Sequence, residues 1–288
     1  MTLKRKFTPN TAGAFESLPF DEYRAAPGLS KSMLNVFREC PAKYKAQLDG
    51  KITAKATRAM EYGTILHAAI LEGLFDYHVR PEILNDKPWH GARTDCKEWL
   101  AARSDMPVLS ADQDDEIRLV ARHVRKHPLA WPLLKGSRRE VSLFGEYGGR
   151  LVKGRVDALN PSGWICDIKK VADASTHALS RAVFNFGHHI QAALYWKLCA
   201  LNGIKCDGFY FIAIELGATT GDQPLLNVRR LSSEAMEAGN FELEKMLVEL
   251  RECEQSGIWP DYSGRELGEV SVPGYALPEM ELEGAVMV

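Results

Sequence analysis

One segment of the chain, "SADQDDEIRLVARHVRKH" at 110–127, shows helical spacing of apolar residues most clearly. Its apolar stripe consists of Ile117, Val120, Ala121 and Val124. Ser110 and Gln113 form a capping box at the start, and acidic residues fill the early turns, where the helix dipole favours negative charge. The pattern therefore predicts an amphipathic helix with one face in the core.

Two more helices are predicted on the N-terminal side of this segment. Residues 30–48 form the first, with a break or kink at Pro41, because proline lacks the N–H that a helix interior needs. Residues 56–74 form the second. The stretch 76–94 is rich in Pro, Trp and His and shows no period, so it predicts an irregular excursion.

Beyond these helices the pattern changes to alternation with frequent turns. Residues 139–173 read as a three-strand antiparallel meander. Two helices, two strands and a long final helix are predicted after it: 176–186, 188–203, 205–215, 224–231 and 232–257. This order predicts an α/β fold with a central mixed β-sheet flanked by helices and an N-terminal helical elaboration. We expect one domain over 1–288, with a flexible arm over 1–22 and a closing segment and tail over 259–288.

Composition limits the classes of protein to which the chain can belong. Apolar residues make up 45% of the 288 residues and charged residues 26%, as in ordinary soluble globular proteins. No apolar run approaches the roughly 20 residues that span a bilayer. The formal charge of -2 argues against coating nucleic acid through bulk positive charge, but it leaves room for a local basic groove.

Cysteine usage and the first residues suggest a compartment. The six cysteines are scattered without a Cys-x-x-Cys pair, which suits reduced thiols better than disulfides, a zinc knuckle or an iron–sulfur cluster. The start, "MTLKRKFTPN", has no apolar stretch after its basic residues, so we expect no secretory signal and a cytoplasmic protein. The sequence contains no GxxxxGK(S/T) loop, so we expect no nucleotide cofactor.

Candidate chemistry appears in "GRVDALNPSGWICDIKK", residues 154–170. A two-residue turn would send Asp157 and Asp167 to opposite faces of this hairpin. The Pro-Ser-Gly sequence at 161–163 instead suits a three-residue loop with a bulge at the glycine. That loop places the two aspartates directly opposite each other, with Lys169 on the same face.

Two opposed carboxylates repel each other, so this arrangement is unfavourable unless the repulsion is reduced. A raised pKa on one acid, Lys169 as counter-ion, or a bound divalent cation would each reduce it. The hairpin alone does not separate these possibilities from an exposed polar face that Lys169 simply neutralises.

The hairpin resembles the Asp…(Asp/Glu)-x-Lys signature of the PD-(D/E)XK nuclease superfamily. Asp157 matches the first aspartate, and Asp167-Ile168-Lys169 matches the second element. "HHIQAALYWK" is similar to the Gln-x-x-x-Tyr motif of the exonuclease branch, with Gln191 and Tyr195 in the matching positions.

Further resemblances flank these motifs in the same chain order. "EYGTILHAAILE" resembles the Gly-x-x-x-His helix of the superfamily, with Gly63 and His67 in place. "LSKSMLNVFRECPAKYKA" resembles the opening helix, and "CEQSGIWPDYSGRELGEVSVPGYAL" the closing segment. From about residue 22 to 278, the chain most resembles the exonuclease VIII (RecE-type) nuclease domains of phage and prophage recombination systems.

The resemblance implies a metal centre for one or two Mg²⁺ or Mn²⁺ ions. His67, Asp157 and Asp167 would be ligands, together with the backbone carbonyl of Ile168. Lys169 would orient a water molecule or offset charge in the transition state. His67 would replace the glutamate of many relatives, although oxygen ligands suit these ions better than imidazole.

Other motif residues would serve catalysis or contact DNA by the same resemblance. Gln191 and Tyr195 lie at i and i+4 on one side of a helix, which would border the active site and contact the DNA strand. Independently of the resemblance, the basic residues Lys170 and Arg181 could bind phosphate or form a solvated face. Gly63, one turn before the histidine, would leave space for backbone or DNA to approach.

Each of these motifs also has a purely structural interpretation. His67 could be a packed helix histidine. Gln191 and Tyr195 could belong to an ordinary amphipathic helix.

Several further residues remain open. Glu140 could orient Lys169 or a metal-bound water, or be a solvated strand residue; we expect a supporting role and not catalysis. His188 and His189 point about 100° apart on a helix, so they are poor joint ligands and more typical of a DNA-contacting or surface role. The pair at 138–139 adds two arginines that could bind phosphate or form a solvated face.

The resemblance implies a Mg²⁺-dependent deoxyribonuclease that digests one strand, the 5′-ended one, of linear double-stranded DNA. It would leave a 3′ single-stranded tail for recombination with a single-strand annealing protein, inside a bacterial host cell. A homo-oligomeric ring is expected, with no membrane partner. Two alternatives stay open: a structure-specific or site-specific endonuclease on the same metal core, and a non-catalytic module that binds DNA ends.

Overall fold

The computed structural model describes residues 7–8, 11–52, 58–73, 76–216, 223–262 and 269–270. Its strands are β1 (Gly13–Phe15), β2 (His78–Val79), β3 (Ile83–Leu84), β4 (Lys87–Pro88), β5 (Val108–Leu109), β6 (Arg138–Tyr147), β7 (Arg150–Leu159), β8 (Trp164–Val171), β9 (Gly208–Glu215) and β10 (Leu225–Arg230). Its helices are α1 (Phe20–Ala25), α2 (Lys31–Glu39), α3 (Pro41–Leu48), α4 (Arg58–Leu71), α5 (Thr94–Ala101), α6 (Ala111–Lys126), α7 (Ala130–Leu134), α8 (Thr176–Asn185), α9 (His188–Leu201) and α10 (Ser233–Ser256).

A six-stranded mixed sheet forms the centre of the fold, in the order β1-β6-β7-β8-β9-β10. The parallel pair is β8 and β9, joined by a crossover through α8 and α9. The other neighbours pair antiparallel. The predicted α/β class with a central mixed sheet is therefore confirmed.

Helices cover both faces of this sheet. On one face α9, α10 and α2 pack against apolar residues of β6 and β7, among them Leu143 and Val156. On the other face α4, α6 and α7 pack against β8 and β9 through residues such as Ile168 and Ile212. The sheet is thus buried between two apolar layers, and polar side chains between the layers need a specific explanation.

The β7–β8 hairpin adopts the loop that the Pro-Ser-Gly sequence predicts. The Asn160 N–H donates to the Trp164 carbonyl at 2.8 Å, and Gly163 takes the left-handed conformation with φ of 85°. Ala158 pairs with Cys166. The regular pairing ends there, and the Ile168 N–H donates to the Asp157 Oδ2 at 2.8 Å, so the direct opposition of Asp157 and Asp167 stays a prediction.

The predicted helices are confirmed with small adjustments. The first splits at Pro41 into α2 and α3, and α6 carries the full capping box between Ser110 and Gln113. The excursion at 76–94 holds three two-residue strands and the first residue of α5. Among the residues described, no helix has the length and apolarity to cross a membrane.

The flexible arm predicted over 1–22 needs correction. Within it, β1 pairs antiparallel with β6 at the sheet edge. Phe7, Phe15 and Phe144 form a cluster with ring centroids 5.3 to 5.9 Å apart. This aromatic burial anchors the segment, because ordering it removes large apolar surface from water.

Candidate metal centre

The sheet is irregular where the predicted site lies. In the β6–β7 ladder, Arg139 pairs with Ala158 and Val141 with Val156, so the register places Glu140 opposite Asp157. Regular pairing skips this position, and Glu140 has a φ of 50°, in the left-handed region. A non-glycine residue held there costs of order 1 kcal/mol or more, and such strain concentrates at functional sites.

Three side chains converge at this irregularity. His67 comes from α4, Glu140 from β6 and Asp157 from β7, and one ligand atom of each lies within 4.8 Å of the other two. The His67 Nδ1 is 3.5 Å from the Asp157 Oδ2. All three are partly buried, so they form a recess with one nitrogen and two oxygen donors.

Burial and like charge set the proton affinity of these carboxyl groups. Burial, followed by repulsion from Asp167, raises the pKa of Asp157 to about 7, although the Ile168 N–H donates to its Oδ2 at 2.8 Å. Burial, followed by repulsion from Asp157, also raises the pKa of Glu140. Two acids held together in this way favour a bound cation, because a cation removes the repulsion.

The imidazole of His67 is prepared to act as a ligand. Its pKa is lowered, first by burial and then by the charge of Lys169, which favours the neutral ring that metals bind. A packed helix histidine would lie among apolar residues, whereas His67 faces two carboxylates.

Arg155 fixes the position of Glu140. Its Nε lies 2.6 Å from the Glu140 Oε2, and its terminal nitrogen donates to the Leu18 carbonyl at 2.7 Å and to the Ser142 hydroxyl at 3.2 Å. These three partners hold the guanidinium, and through it the glutamate, on β6. Glu140 is therefore a fixed member of the recess and not a solvated strand residue.

A second polar group lies beside the recess. Asp167 is 1% exposed; its Oδ1 accepts a hydrogen bond from the Gln191 Nε2 at 2.6 Å, and its Oδ2 is 2.7 Å from the Lys169 Nζ. The Lys169 Nζ also donates to the Gln191 Oε1 at 3.4 Å. Burial opposes the charge of Lys169, but Asp167 and Asp157 outweigh it and raise the pKa of the lysine.

Asp167 and Lys169 therefore lie on the same face of β8, as predicted. The group of donor atoms within 4.8 Å contains Glu140, where the sequence analysis placed Asp167. Direct ligation by Asp167 and by the Ile168 carbonyl stays a prediction. So does the direct contact of DNA with Gln191, whose side chain is buried against Asp167.

Tyr195 lies one helical turn beyond Gln191 and is buried between α9 and β7. A Cβ on Gly154 would come within 2.6 Å of its ring, so the glycine allows the tyrosine to pack on the strand. Burial raises the pKa of its phenol well above the usual value. Its contact with DNA also stays a prediction.

The other predicted residues lie around this centre. Lys170 projects away from Lys169 and packs its ammonium 4.8 Å from the Tyr62 ring centroid. Arg181 is exposed on α8. A Cβ on Gly63 would meet nothing within 4 Å, so the space predicted beside α4 is present.

The two adjacent histidines of α9 separate, as predicted. His189 is buried with both ring nitrogens 3.0 Å from oxygen atoms, of Val183 and Glu242. Because it is buried between α9 and α10, the surface or DNA-contacting role expected for His189 is wrong. The ring centroid of His188 lies 6.0 Å from that of Phe211, which pairs with Asp167 in the sheet.

Residues 30–266 match a family model described as a PDDEXK-like domain of unknown function (DUF3799). The chain belongs to this family. The PDDEXK-like domain is similar in fold to the crystal structure of a candidate exonuclease from Eubacterium rectale, with a TM-score of 0.62, 14% identity, and coverage of 85% of this chain and 89% of that one. A phage-related exonuclease from Haemophilus somnus 129PT aligns with a TM-score of 0.36 and 12% identity, over 80% of this chain and 96% of that one. No curated protein matches the chain.

The residues of this PDDEXK-like domain fit a divalent cation. The recess offers two carboxylates and one imidazole, and burial followed by mutual repulsion of carboxylates makes the charged form of both acids costly. Carboxylate-rich donors suit Mg²⁺ and Mn²⁺.

The sequence analysis gave Glu140 only a supporting role, although the sequence contains a signal that this residue lies beside Asp157. The Gly-Gly pair at 148–149 is typical of a two-residue turn, and it places Tyr147 opposite Arg150. Counting back from that pair puts Glu140 opposite Asp157.

Lys31 of α2 is a second residue that the sequence analysis did not single out. Its pKa is lowered to about 8, by burial first and by Lys169 second.

Proposed function

We propose that this PDDEXK-like domain is a metal-dependent deoxyribonuclease that digests one strand of linear double-stranded DNA from an end. The observation that carries the proposal is the recess of His67, Glu140 and Asp157 beside the ion pair of Asp167 and Lys169. The similarity in fold to a candidate exonuclease supports attack at an end over attack within the strand.

The three residues of the recess would hold the ion, Mg²⁺ or Mn²⁺, with Asp167 available to a second ion. When bound, it would supply Lewis-acid stabilisation of the phosphodiester and acidify a water molecule. The backbone N–H of Ile168 and the guanidinium of Arg155 keep the Asp157 and Glu140 carboxylates aimed at the recess. Such partners orient ligands and tune their affinity.

Lys169 would stabilise negative charge on the phosphate during cleavage. Asp167 and Asp157 keep the ammonium protonated although it is buried, so a full positive charge is present before substrate arrives. Gln191 holds both ends of the Asp167–Lys169 pair with one amide group. A preorganised charge needs little rearrangement when the transition state forms.

The finer parts of the proposal rest on the sequence resemblance. They are removal of the 5′-ended strand, a 3′ tail passed to a single-strand annealing protein, and a homo-oligomeric ring that retains the DNA. A near-neutral chain can still bind DNA when positive charge is local, as Lys31, Arg155 and Lys169 are around the recess.

Incubation of the purified protein with linear and covalently closed circular duplex DNA, with Mg²⁺ or with chelator, tests the proposal. We expect loss of linear DNA alone, dependent on Mg²⁺. Labelling each strand at its 5′ or 3′ end reports which strand is degraded first.

Other outcomes support different functions. Cleavage of closed circles would indicate an endonuclease on the same metal core. Retention of DNA ends without cleavage in Mg²⁺ or Mn²⁺ would indicate a binding module and contradict the proposed enzyme.

A further inference from the structure

The last turn of α8 and the loop that joins it to α9 present two phenylalanine side chains to solvent. Phe184 is 58% exposed and Phe186 is 61% exposed. Large apolar side chains normally leave water, so two exposed rings within three residues mark a surface that can gain from a partner.

These rings are exposed although their backbone is held firmly. The side chain of Asn35 donates to the Phe186 carbonyl at 3.2 Å, and that of Arg38 donates to the Phe184 carbonyl at 3.1 Å. Gly187 then turns the chain into α9 with a φ of 61°. Two residues of α2 thus fix the loop that carries the rings.

Phe184 is also supported through its ring. The imidazole of His189 stacks on it with centroids 5.9 Å apart and planes at 19°, and the Arg38 guanidinium lies 5.3 Å from its centroid. His189 and Arg38 share the carboxylate of Glu242, at 3.0 and 3.3 Å. This backing keeps the ring in place while more than half of it stays accessible.

Phe186 connects the loop to the metal centre. Its ring is 5.8 Å from that of His188, which is 6.0 Å from the ring of Phe211. Phe211 on β9 pairs directly with Asp167 on β8. Two side chains, His188 and Phe211, therefore separate Phe186 from the position of Asp167, and Phe184 precedes Phe186 by two residues.

Exposed, fixed aromatic rings beside a phosphodiester-cleaving site suit one ligand in particular. Every nucleobase has a π face that can stack on phenylalanine, whatever its sequence. A base within a duplex cannot offer that face, because its neighbours cover it. An unpaired base of a strand whose phosphate lies at Lys169 could reach the rings.

We propose that Phe184 and Phe186 form a stacking platform for unpaired bases of the DNA strand that enters the metal centre. Unpaired bases next to the phosphate at Lys169 would then stack on the two rings. This inference rests on the proposed nuclease function. The positive charges of Lys31 and Arg38 lie on the same side of the fold and would hold the backbone of that strand.

The test uses a short single-stranded oligonucleotide that contains 2-aminopurine, whose fluorescence falls when the base stacks. With chelator present to prevent cleavage, we expect the wild-type protein to bind the probe and quench it. The double variant Phe184→Ala/Phe186→Ala should bind at least about fivefold more weakly, since stacking on one ring contributes about that factor per base or more. Replacement of both by tryptophan should restore quenching.

A matched control is available on α10. Phe241 is 71% exposed, and Phe241→Ala removes the same ring from another surface, so it should bind the probe as the wild type does. Circular dichroism and thermal melting of each variant confirm that the fold is retained.

Each remaining outcome overturns a defined part of the account. If the wild type digests duplex ends but does not quench the probe, or if the double variant quenches it equally, the platform is wrong and the nuclease stands. Altered oligomeric state with normal quenching would make the rings a subunit contact and would contradict the platform. A protein that quenches the probe but cuts nothing would keep the platform and contradict the nuclease.

Discussion

One buried and one partly buried histidine face carboxylates in this protein, and they differ in what surrounds them. His189, between α9 and α10, has oxygen atoms 3.0 Å from both ring nitrogens, and its carboxylate partner Glu242 also pairs with Arg38. His67 lies 3.5 Å from the carboxylate of Asp157, which has Glu140 beside it as a second acid. Both ring nitrogens of His189 have protein partners, whereas His67 lies beside two carboxylates that repel each other.

The difference shows how a structural histidine can be told from a candidate ligand. At His189 each polar atom has a partner, so the group stabilises the packing of two helices. At His67 the carboxylates repel each other and their pKa values are raised, so the group is costly without a cation. Four predictions test this contrast, from the largest expected effect to the smallest.

Asp157→Asn should abolish DNA cleavage, with a loss of at least about 100-fold, because it removes a charged donor from the recess. The rate of digestion of end-labelled linear duplex in Mg²⁺ measures the effect. Glu242→Gln makes the same chemical change beside His189; since no ion is held there, the rate at saturating DNA should stay within about twofold, and any effect through the backing of Phe184 should appear as weaker DNA binding. Equal losses in the two variants would erase the contrast between the two histidines.

Gly239→Ala should strongly destabilise the packing of α10 against α9 around His189. A Cβ at this position would lie 2.2 Å from the His189 backbone oxygen, so α10 would have to move away from α9. Overpacking of this kind costs about 1 to 3 kcal/mol or more in the free energy of unfolding. Guanidinium denaturation measures it, and an unchanged midpoint would show that the helices separate easily.

The pH dependence of stability should report the surplus charge at the recess. Because the pKa of Asp157 is raised above its unfolded value, the folded protein holds a proton that the unfolded chain has released between about pH 4 and pH 7. Stability in chelator therefore falls as the pH rises through that window, by on the order of 1 kcal/mol for each unit by which the pKa is raised.

Asp157→Asn removes the carboxyl group whose raised pKa lowers stability as the pH rises. Its free energy of unfolding, relative to the wild type, should increase from pH 4 to pH 7 in chelator, whereas the corresponding difference for Glu242→Gln should not increase. Urea denaturation at several pH values measures both. Parallel plots of the free energy of unfolding against pH for wild type and Asp157→Asn would mean that folding does not raise the pKa of Asp157.

Gly63→Ala should have the smallest effect on stability and the opposite sign to Gly239→Ala. The site is open in the described structure, and alanine is better than glycine within a helix by about 0.5 to 1 kcal/mol. Denaturation in chelator measures the gain. A loss of stability would show that α4 packs more tightly at this point than the open space indicates.

Much of this fold could be predicted from local patterns. The capping box of α6, the break at Pro41 and the loop ending at Gly163 each follow from residues that are neighbours in the chain. The same loop chemistry predicts the register in which Ala158 pairs with Cys166. Asp167 and Lys169 on one face of β8 then followed from strand alternation.

What could not be predicted depends on contacts between distant segments. The clamp of Arg155 on Glu140 includes the carbonyl of Leu18, which lies far away in the sequence. The left-handed backbone of Glu140 has no local signal, because glutamate does not favour it. Burial of β1 under Phe7 and Phe144 likewise requires an aromatic cluster that only the folded sheet assembles.

Calorimetric titration of Mn²⁺ into the metal-free protein tests most directly whether His67, Glu140 and Asp157 form a cation site. We predict binding to the wild type, at least about tenfold weaker binding to Glu140→Gln, and unchanged binding to Glu242→Gln. Wild-type affinity in Glu140→Gln, or no heat of binding to the wild type at all, would contradict the account.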